Sequence, residues 1–267
     1  MSKYKNRSSL PVNMEGFINA RQPQDVFTFY DDFLGCTWAL DADSVSTTST
    51  TGANVWDYTA VEGGGTAACV DATYNMLSTL GGVLRITTVG TADDGFNIQV
   101  AGTPFVIDAD CGLPLYFETR FRTADVSNTD IAIGLSAVDT EIITAGADDF
   151  VGFLLESGTL YTHCAETSKE YSVDTGITEA DGAAGSNAGW VRGAFFFDGK
   201  DTVSFFVDSN DDGEFDFVNS VTVSTTLHYL PDDVTLTPTI EVITGTTASA
   251  ETADIDYVYC CQQRYHA

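Results

Sequence analysis

The chain is 267 residues long, 43% apolar, and carries 39 acidic against 11 basic residues, a net charge of −28. That length suits one large β-domain, and 17 Phe with 11 Tyr supply the bulk for a sizeable core, which excludes a wholly disordered chain. The charge disfavours nucleic acid and anionic membranes as partners, because phosphate binding needs clustered Lys and Arg; it favours high solubility and a cation-rich or basic partner.

Residues 1–25 stand apart. Lys3, Lys5, Arg7 and Arg21 are set there against Glu15 and Asp25, a local excess of two positives. The rest of the chain holds the other 7 basic and 37 acidic residues, a net of −30. A basic arm with Ser, Asn and Pro in front of an acidic body reads as an extended tether rather than part of the core. An ordinary loose terminus is the plainer alternative. No apolar run comes after the lysines, so no signal peptide is expected, and no stretch approaches the roughly 18 apolar residues of a membrane span. The protein is therefore expected to be made and assembled without passing through a secretion pathway.

Beyond residue 25 the apolar stretches are short and turn residues dense, with 24 Gly among many Thr, Ser, Asp and Asn. No repeat of fixed period and no long amphipathic helix is visible, so the pattern is one of many short strands joined by turns. The first strand is expected at 26–33. Segment 41–80 is rich in Ser, Thr, Gly and Ala, with Trp56 and Tyr58 as anchors. It reads equally as a long loop, a surface excursion or the first edge strands. Further strands are expected near 82–89, 95–100 and 104–108.

The clearest alternation lies in the middle of the chain. In 114–122, Leu115, Phe117, Thr119 and Phe121 fall on one side, with Tyr116, Glu118, Arg120 and Arg122 on the other. In 130–136, Ile131, Ile133 and Leu135 alternate with Asp130, Ala132, Gly134 and Ser136. A period of two with one apolar face is what a half-buried antiparallel strand requires. Strands at 150–156 and 159–163 come next. Gly193-Ala-Phe-Phe-Phe-Asp198 and Val203-Ser-Phe-Phe-Val-Asp208 are apolar on both sides and suit central strands. After 214–223 and 234–244, Ile255, Tyr257 and Tyr259 alternate with Asp254, Asp256 and Val258 near the end. A dozen or more strands in one domain point to two packed sheets.

Six cysteines, at 36, 69, 111, 164, 260 and 261, include no Cys-x-x-Cys pair and no His at finger spacing, which disfavours a zinc site. Buried free thiols are expected, with adjacent Cys260 and Cys261 pointing to opposite faces of a strand.

The sharpest local motif is Asp208-Ser-Asn210-Asp-Asp212-Gly213-Glu214-Phe-Asp216. Oxygen ligands at alternate positions (Asp208, Asn210, Asp212, Glu214, Asp216) with Gly at the sixth match the first half of an EF-hand calcium loop. The twelfth position, however, is Asn219, and the flanks read as strands. A tight inter-strand turn accounts for the same residues, so calcium and a bare turn both stay open.

Catalytic signatures are missing. Jelly-roll glycosidases commonly set Glu, Asp and Glu at alternating positions of one strand; here the Glu118 strand carries arginines instead, and Glu166 and Glu170 are four apart. Only His163, His228 and His266 could serve a Ser–His–Asp triad, and there is no Gly-x-Ser-x-Gly elbow. His163 in its strand-like run reads as structural. Gly63-Gly-Gly65 lacks the Lys-Ser/Thr of a phosphate loop. Trp56, Tyr58, Tyr161 and Tyr171 could form a sugar platform, although core packing is the commoner use of aromatics.

Residues Gly189-Trp-Val-Arg-Gly-Ala-Phe-Phe-Phe-Asp-Gly-Lys-Asp-Thr-Val-Ser-Phe-Phe-Val-Asp208 resemble the back-sheet hairpin of concanavalin A-like, laminin-G-like jelly rolls. There a strand opened by Trp and Arg leads through Asp-Gly into one ending in Val-Asp. Ala253-Asp-Ile-Asp-Tyr-Val-Tyr259 resembles their last strand, and Asp31-Asp-Phe33 their opening one. The resemblance implies an all-β, two-sheet antiparallel jelly-roll sandwich over 26–267, with residues 1–25 as an extended arm.

Domains of this kind with a short unsignalled tail look like structural proteins of tailed bacteriophages, either capsid decoration (cement) proteins or parts of fibres. The resemblance implies a non-enzymatic virion protein assembled in the host cytoplasm as a homo-oligomer. It would attach to the major capsid protein, or another virion protein, through Lys3, Lys5, Arg7 and Arg21. The resemblance implies no cofactor; calcium at the 208–216 turn stays open from the motif alone. The catalytic Glu pair and paired metal site of the family's enzymes and lectins do not carry over to these positions. A carbohydrate-binding module of a fibre or cell-surface protein is the alternative, followed by a glycoside hydrolase with an unfamiliar site.

Overall fold

The computed structural model describes residues 26–33, 56–61, 73–77, 82–108, 112–139, 141–144, 146, 149–167, 169–177, 189–222, 229–232, 234–247 and 249–264. The basic arm, Cys36, Cys69, Cys111, Gly63–Gly65, His228 and His266 lie outside the described residues.

Among the described residues, sixteen strands form two antiparallel sheets of eight. The first runs in space β14 (Phe217–Thr222), β13 (Thr202–Asp208), β12 (Val191–Phe197), β7 (Leu115–Thr123), β16 (Thr252–Gln263), β4 (Val83–Thr87) and β3 (Thr73–Leu77), with β1 (Val26–Asp31) also on β16. The second runs β11 (Lys169–Asp174), β10 (Thr159–Glu166), β9 (Asp149–Glu156), β8 (Thr129–Ser136), β15 (Thr235–Thr244), β5 (Gly95–Val100) and β2 (Trp56–Val61), with β6 (Phe105–Val106) on β15. This is the expected jelly-roll sandwich. Within 41–80, β2 and β3 are edge strands, and β11 is a strand that the alternation did not announce.

The inner faces make one core. Leu115, Phe117 and Phe121 of β7 meet Ile131, Ile133 and Leu135 of β8, as their alternation predicts. Phe117 stacks on Phe195 at 5.1 Å between ring centres, and Phe205 meets Phe153 of the other sheet edge-on at 5.8 Å. Each such buried ring contributes roughly 1.5–3 kcal/mol of apolar transfer. Gly193 leaves room for the Phe153 ring, whose nearest atom would sit 2.7 Å from any Cβ placed there. The Asp198-Gly199 turn of the β12–β13 hairpin is closed by Asp198 Oδ1, which accepts from the N–H groups of Lys200, Asp201 and Thr202. Gly199 supplies the φ of +79° that this turn needs.

The Asp31-Asp-Phe33 motif fixes a corner. One oxygen of Asp31 accepts from the Phe33 N–H and the other from Trp56 Nε1, each at 2.7 Å. Phe33 and Trp56 are thereby buried against each other in the core.

The last strand departs from its expected phase. β16 pairs with β4 through Thr252–Ile255 and with β1 from Val258 onward, and a bulge falls between Ile255 and Tyr257. The extra residue reverses the alternation. Ile255, Val258 and Cys260 therefore face the core, while Tyr257 and Tyr259 turn outward rather than continuing the Ile255 side. Cys260 and Cys261 do point to opposite faces, and both are buried free thiols, as is Cys164.

Candidate functional site

Chemistry concentrates on the outer face of the first sheet. The alternation of β7 turns Tyr116, Glu118, Arg120 and Arg122 outward, and registration with β12 sets Arg120 opposite Arg192. β16 and β4 add Asp254, Asp256 and Arg85. Four of the seven cations beyond residue 25 thus meet on one face of a strongly acidic body.

Each arginine is paired. Asp254 is 3% exposed and lies between two guanidiniums: Arg85 donates at 2.6 and 2.8 Å, and Arg122 at 2.9 and 3.1 Å. Arg120 bridges Asp211 and Asp256, both at 2.7 Å. Trp190 is the hub of this group, with Arg120 and Arg122 over its ring at 4.3 and 4.4 Å. Glu118 accepts from the hydroxyls of both Tyr116 and Tyr257. Burial, with Glu118 reinforcing it, pushes both phenols well above their usual range. Tyr30 projects beside Tyr257 and Tyr259, with ring centres 6.3 Å away in each case, and is 57% exposed.

The 208–216 motif joins this network. β13 ends at Asp208 and β14 begins only at Phe217, so the connection is longer than a tight turn. Asp208 accepts from the N–H groups of Asp212 and Gly213 and from Arg192; Asp216 takes the N–H and hydroxyl of Ser209. Asn210 accepts from the Asp212 N–H, and Asp212 from that of Glu214. Four of the five side chains that the sequence pattern assigns to calcium, those of Asp208, Asn210, Asp212 and Asp216, thus close the loop on itself. Among the described residues no group of three or more His, Cys, Asp or Glu is arranged to hold a metal ion.

The outer face of the second sheet is built differently. Glu241 of β15 has no exposed surface, and its carboxyl accepts from the N–H groups of Ile142 and Ile143 at 2.7 and 3.0 Å and from Asn97 Nδ2 at 3.1 Å. Burial pushes it up to about 7, with Asp139 and Glu141 adding to the rise against the backbone donors. Gln99 donates to the Ala137 carbonyl and accepts from the Asp139 N–H, and Asn97 donates to the Asp139 carbonyl. Ile142 packs on Ala132, Phe150 and Ala165. Residues 137–139 and 141–144 therefore lie across this face like a strap.

The sugar-platform residues separate, and the Tyr58 side chain lies outside the described residues. Trp56 is 1% exposed in the core, so it is no platform, because its ring fills the Phe33 corner. Tyr171 is exposed on β11 against Tyr229, and Tyr161 is half-buried. His163 is buried and shares a 2.6 Å hydrogen bond with Ser172 Oγ; desolvation lowers its pKa. Sequence reasoning passed over Glu241, Trp190 and Tyr30, whose partners are brought in by distant strands.

No family model matches the chain, and no curated protein is similar to it. Among solved structures, a protein of unknown function from Shewanella oneidensis MR-1 has a TM-score of 0.55 at 20% identity, with 91% of each chain covered. An endo-1,3-beta-glucanase from Streptomyces sioyaensis gives 0.52 at 14% identity over 90% of this chain and 98% of that one. The CBM2 module of the evolved Dit of Lactobacillus casei BL23 phage J-1 gives 0.51 at 11% identity over 91% and 99%. Likenesses at these identities speak for architecture alone, and the architecture they share with this chain is the concanavalin A-like jelly-roll sandwich.

Proposed function

We propose that the chain is a non-enzymatic structural protein of a phage virion, a capsid decoration protein that attaches to the major capsid protein through residues 1–25 and assembles as a small homo-oligomer. The observation that carries this reading is the use of the body's cations. Arg85, Arg120, Arg122 and Arg192 all stand in ion pairs inside the first sheet. Lys169, Lys200 and Arg264 are the body's other cations and are scattered singly, so the clustered positive charge that can meet an acidic or grooved shell is that of Lys3, Lys5, Arg7 and Arg21 in the arm. A phage module with the same sandwich, the Dit CBM2, is compatible with such a setting. The test is co-sedimentation of the full chain and a 1–25 deletion with shells assembled from the major capsid protein. The full chain should pellet and the deletion should not. Equal binding of both would remove the arm from the mechanism, and no binding of either would overturn decoration.

Tyr30 favours a second reading, a carbohydrate-binding module. An exposed tyrosine ring beside Tyr257 and Tyr259, near an Asp256 that is itself bonded to Arg120, is the combination that stacks on a sugar face and bonds its hydroxyls. On a glycan array, with and without chelator, Tyr30→Ala should abolish any signal. A signal that survives the substitution places the glycan elsewhere, and a signal lost to chelator would bring calcium and the 208–216 loop back.

A further inference from the structure

We propose that the segment formed by residues 137–139 and 141–144 is a pH-sensitive strap, closed on the second sheet while Glu241 carries its proton and lifted when Glu241 ionises. The inference is independent of the virion reading and concerns a part of the sandwich to which that reading gives no role.

The geometry carries the argument. Glu241 is fully buried, and among the described residues no cation forms an ion pair with it. Its partners are dipoles: two N–H groups of the strap and one amide of β5. The strap also carries two more carboxylates, those of Asp139 and Glu141, and closing it brings both toward the buried one. Ionised Glu241 under a closed strap therefore means a desolvated charge with like charges above it. Lifting the strap returns Glu241 to water and carries the other two, already half-exposed, away from it.

The other elements around Glu241 offer no compensation. Asn97 and Gln99 on β5 are neutral, and Ala132 is its neighbour on β8. Further along the flanking strands lie Asp57, opposite Gln99, and Asp130, opposite Ile243, both acidic. His163 of β10 is turned to Phe150 and Ser172. What keeps the strap down is Ile142 in its seat on Ala132, Phe150 and Ala165, together with the hydrogen bonds donated by Asn97 and Gln99 and the one that Gln99 accepts from the Asp139 N–H. The strap's apolar hold is small, Ile142 with the half-buried Ile143 beside it, and one buried charge is enough to unseat it.

The direction is set by the raised pKa. A lifted strap exposes Glu241 and lets it ionise near the ordinary 4.5, whereas the closed strap holds the proton up to about 7. The closed form is thus favoured at low pH and loses ground as pH rises through that window.

The experiment is amide hydrogen exchange by NMR on the full chain between about pH 5 and about pH 8.5, corrected for the intrinsic rate of exchange. Protection of the Ile142 and Ile143 amides should fall by about tenfold or more as pH rises, with Ile133 in β8 unchanged as the control for global opening. The midpoint should coincide with titration of the Glu241 side-chain carboxyl carbon. In Glu241→Gln, neutral at every pH, protection at Ile142 and Ile143 should be flat. Flat protection in the unsubstituted chain, a carboxyl titration that does not track it, or a pH dependence that persists in the variant would each overturn the proposal. Should the variant not fold, the coincidence of the two midpoints in the unsubstituted chain decides the matter.

Discussion

The two outer faces of the sandwich bury a carboxylate by opposite means. On the first sheet Asp254 is held between Arg85 and Arg122, charge against charge. On the second, Glu241 is held by N–H dipoles alone, with acids as its nearest charged neighbours. A buried ion pair is costly to break but indifferent to pH across the neutral range, because neither partner gains by changing its protonation state. A buried carboxyl without a cation keeps its proton instead, and so makes its surroundings answer to pH. One face is therefore a fixed framework and the other a responsive one.

Removing a cation from the fixed face should have the largest effect. Arg122→Met keeps much of the buried stem but leaves Asp254 with Arg85 alone, and takes away one of the two guanidiniums on Trp190. Breaking a buried pair in this way costs about 3–5 kcal/mol, which for a domain of this size lowers Tm by about 10 °C. Arg85→Met should cost less, since that side chain is 17% exposed and water can replace part of its role. A thermal melt showing equal losses for the two variants would mean that Arg122 has no special place in the network.

The responsive face should show itself as a slope. Folded Glu241 holds its proton up to about 7 against 4.5 in the unfolded chain. The stability this contributes is complete below pH 4.5 and lost as pH rises toward about 7, a change on the order of 3 kcal/mol at most. The acidic surface adds its own pH dependence, so the informative quantity is the difference between the parent chain and Glu241→Gln. That difference should move in favour of the variant from about pH 4.5 to about pH 7 and level off above. A difference that stays constant with pH would mean that Glu241 takes up its proton alike in the folded and unfolded chain, with no rise on burial.

Most of the frame was legible in the residues. Alternation placed β7 and β8 with the right faces inward, and the Trp-Arg to Val-Asp hairpin is β12 and β13. What escaped did so for physical reasons. β11, Lys-Glu-Tyr-Ser-Val-Asp, is exposed on both sides and so has no apolar face to announce it. The phase of β16 is set by a bulge where its partner changes from β4 to β1, a tertiary event that leaves period-two alternation intact in the sequence. The site was less legible than the fold. Glu241 sits in an apolar run that reads correctly as a strand, but its strap is about a hundred residues earlier in the chain. Trp190 likewise becomes a hub only once β7 and β12 lie side by side.

The smallest expected effect lies where the fixed face meets the 209–216 loop. Arg120 and Asp211 are bonded at 2.7 Å but are 21% and 34% exposed, so water and salt screen their attraction. Asp211 has a φ of 56°, a left-handed conformation that Asn tolerates as well as Asp. Asp211→Asn therefore removes the charge without straining the backbone, and should cost no more than about 1 kcal/mol in urea unfolding, shrinking further in about 0.5 M salt. The loop has closures of its own, Asp208 on the Gly213 N–H and Asp216 on Ser209, and these should hold it in place without the pair. A loss above about 2 kcal/mol that salt does not reduce would reverse this view: the sheet would then be holding the loop, and the acidic residues of the motif would owe their positions to Arg120 and Arg192 rather than to the turn.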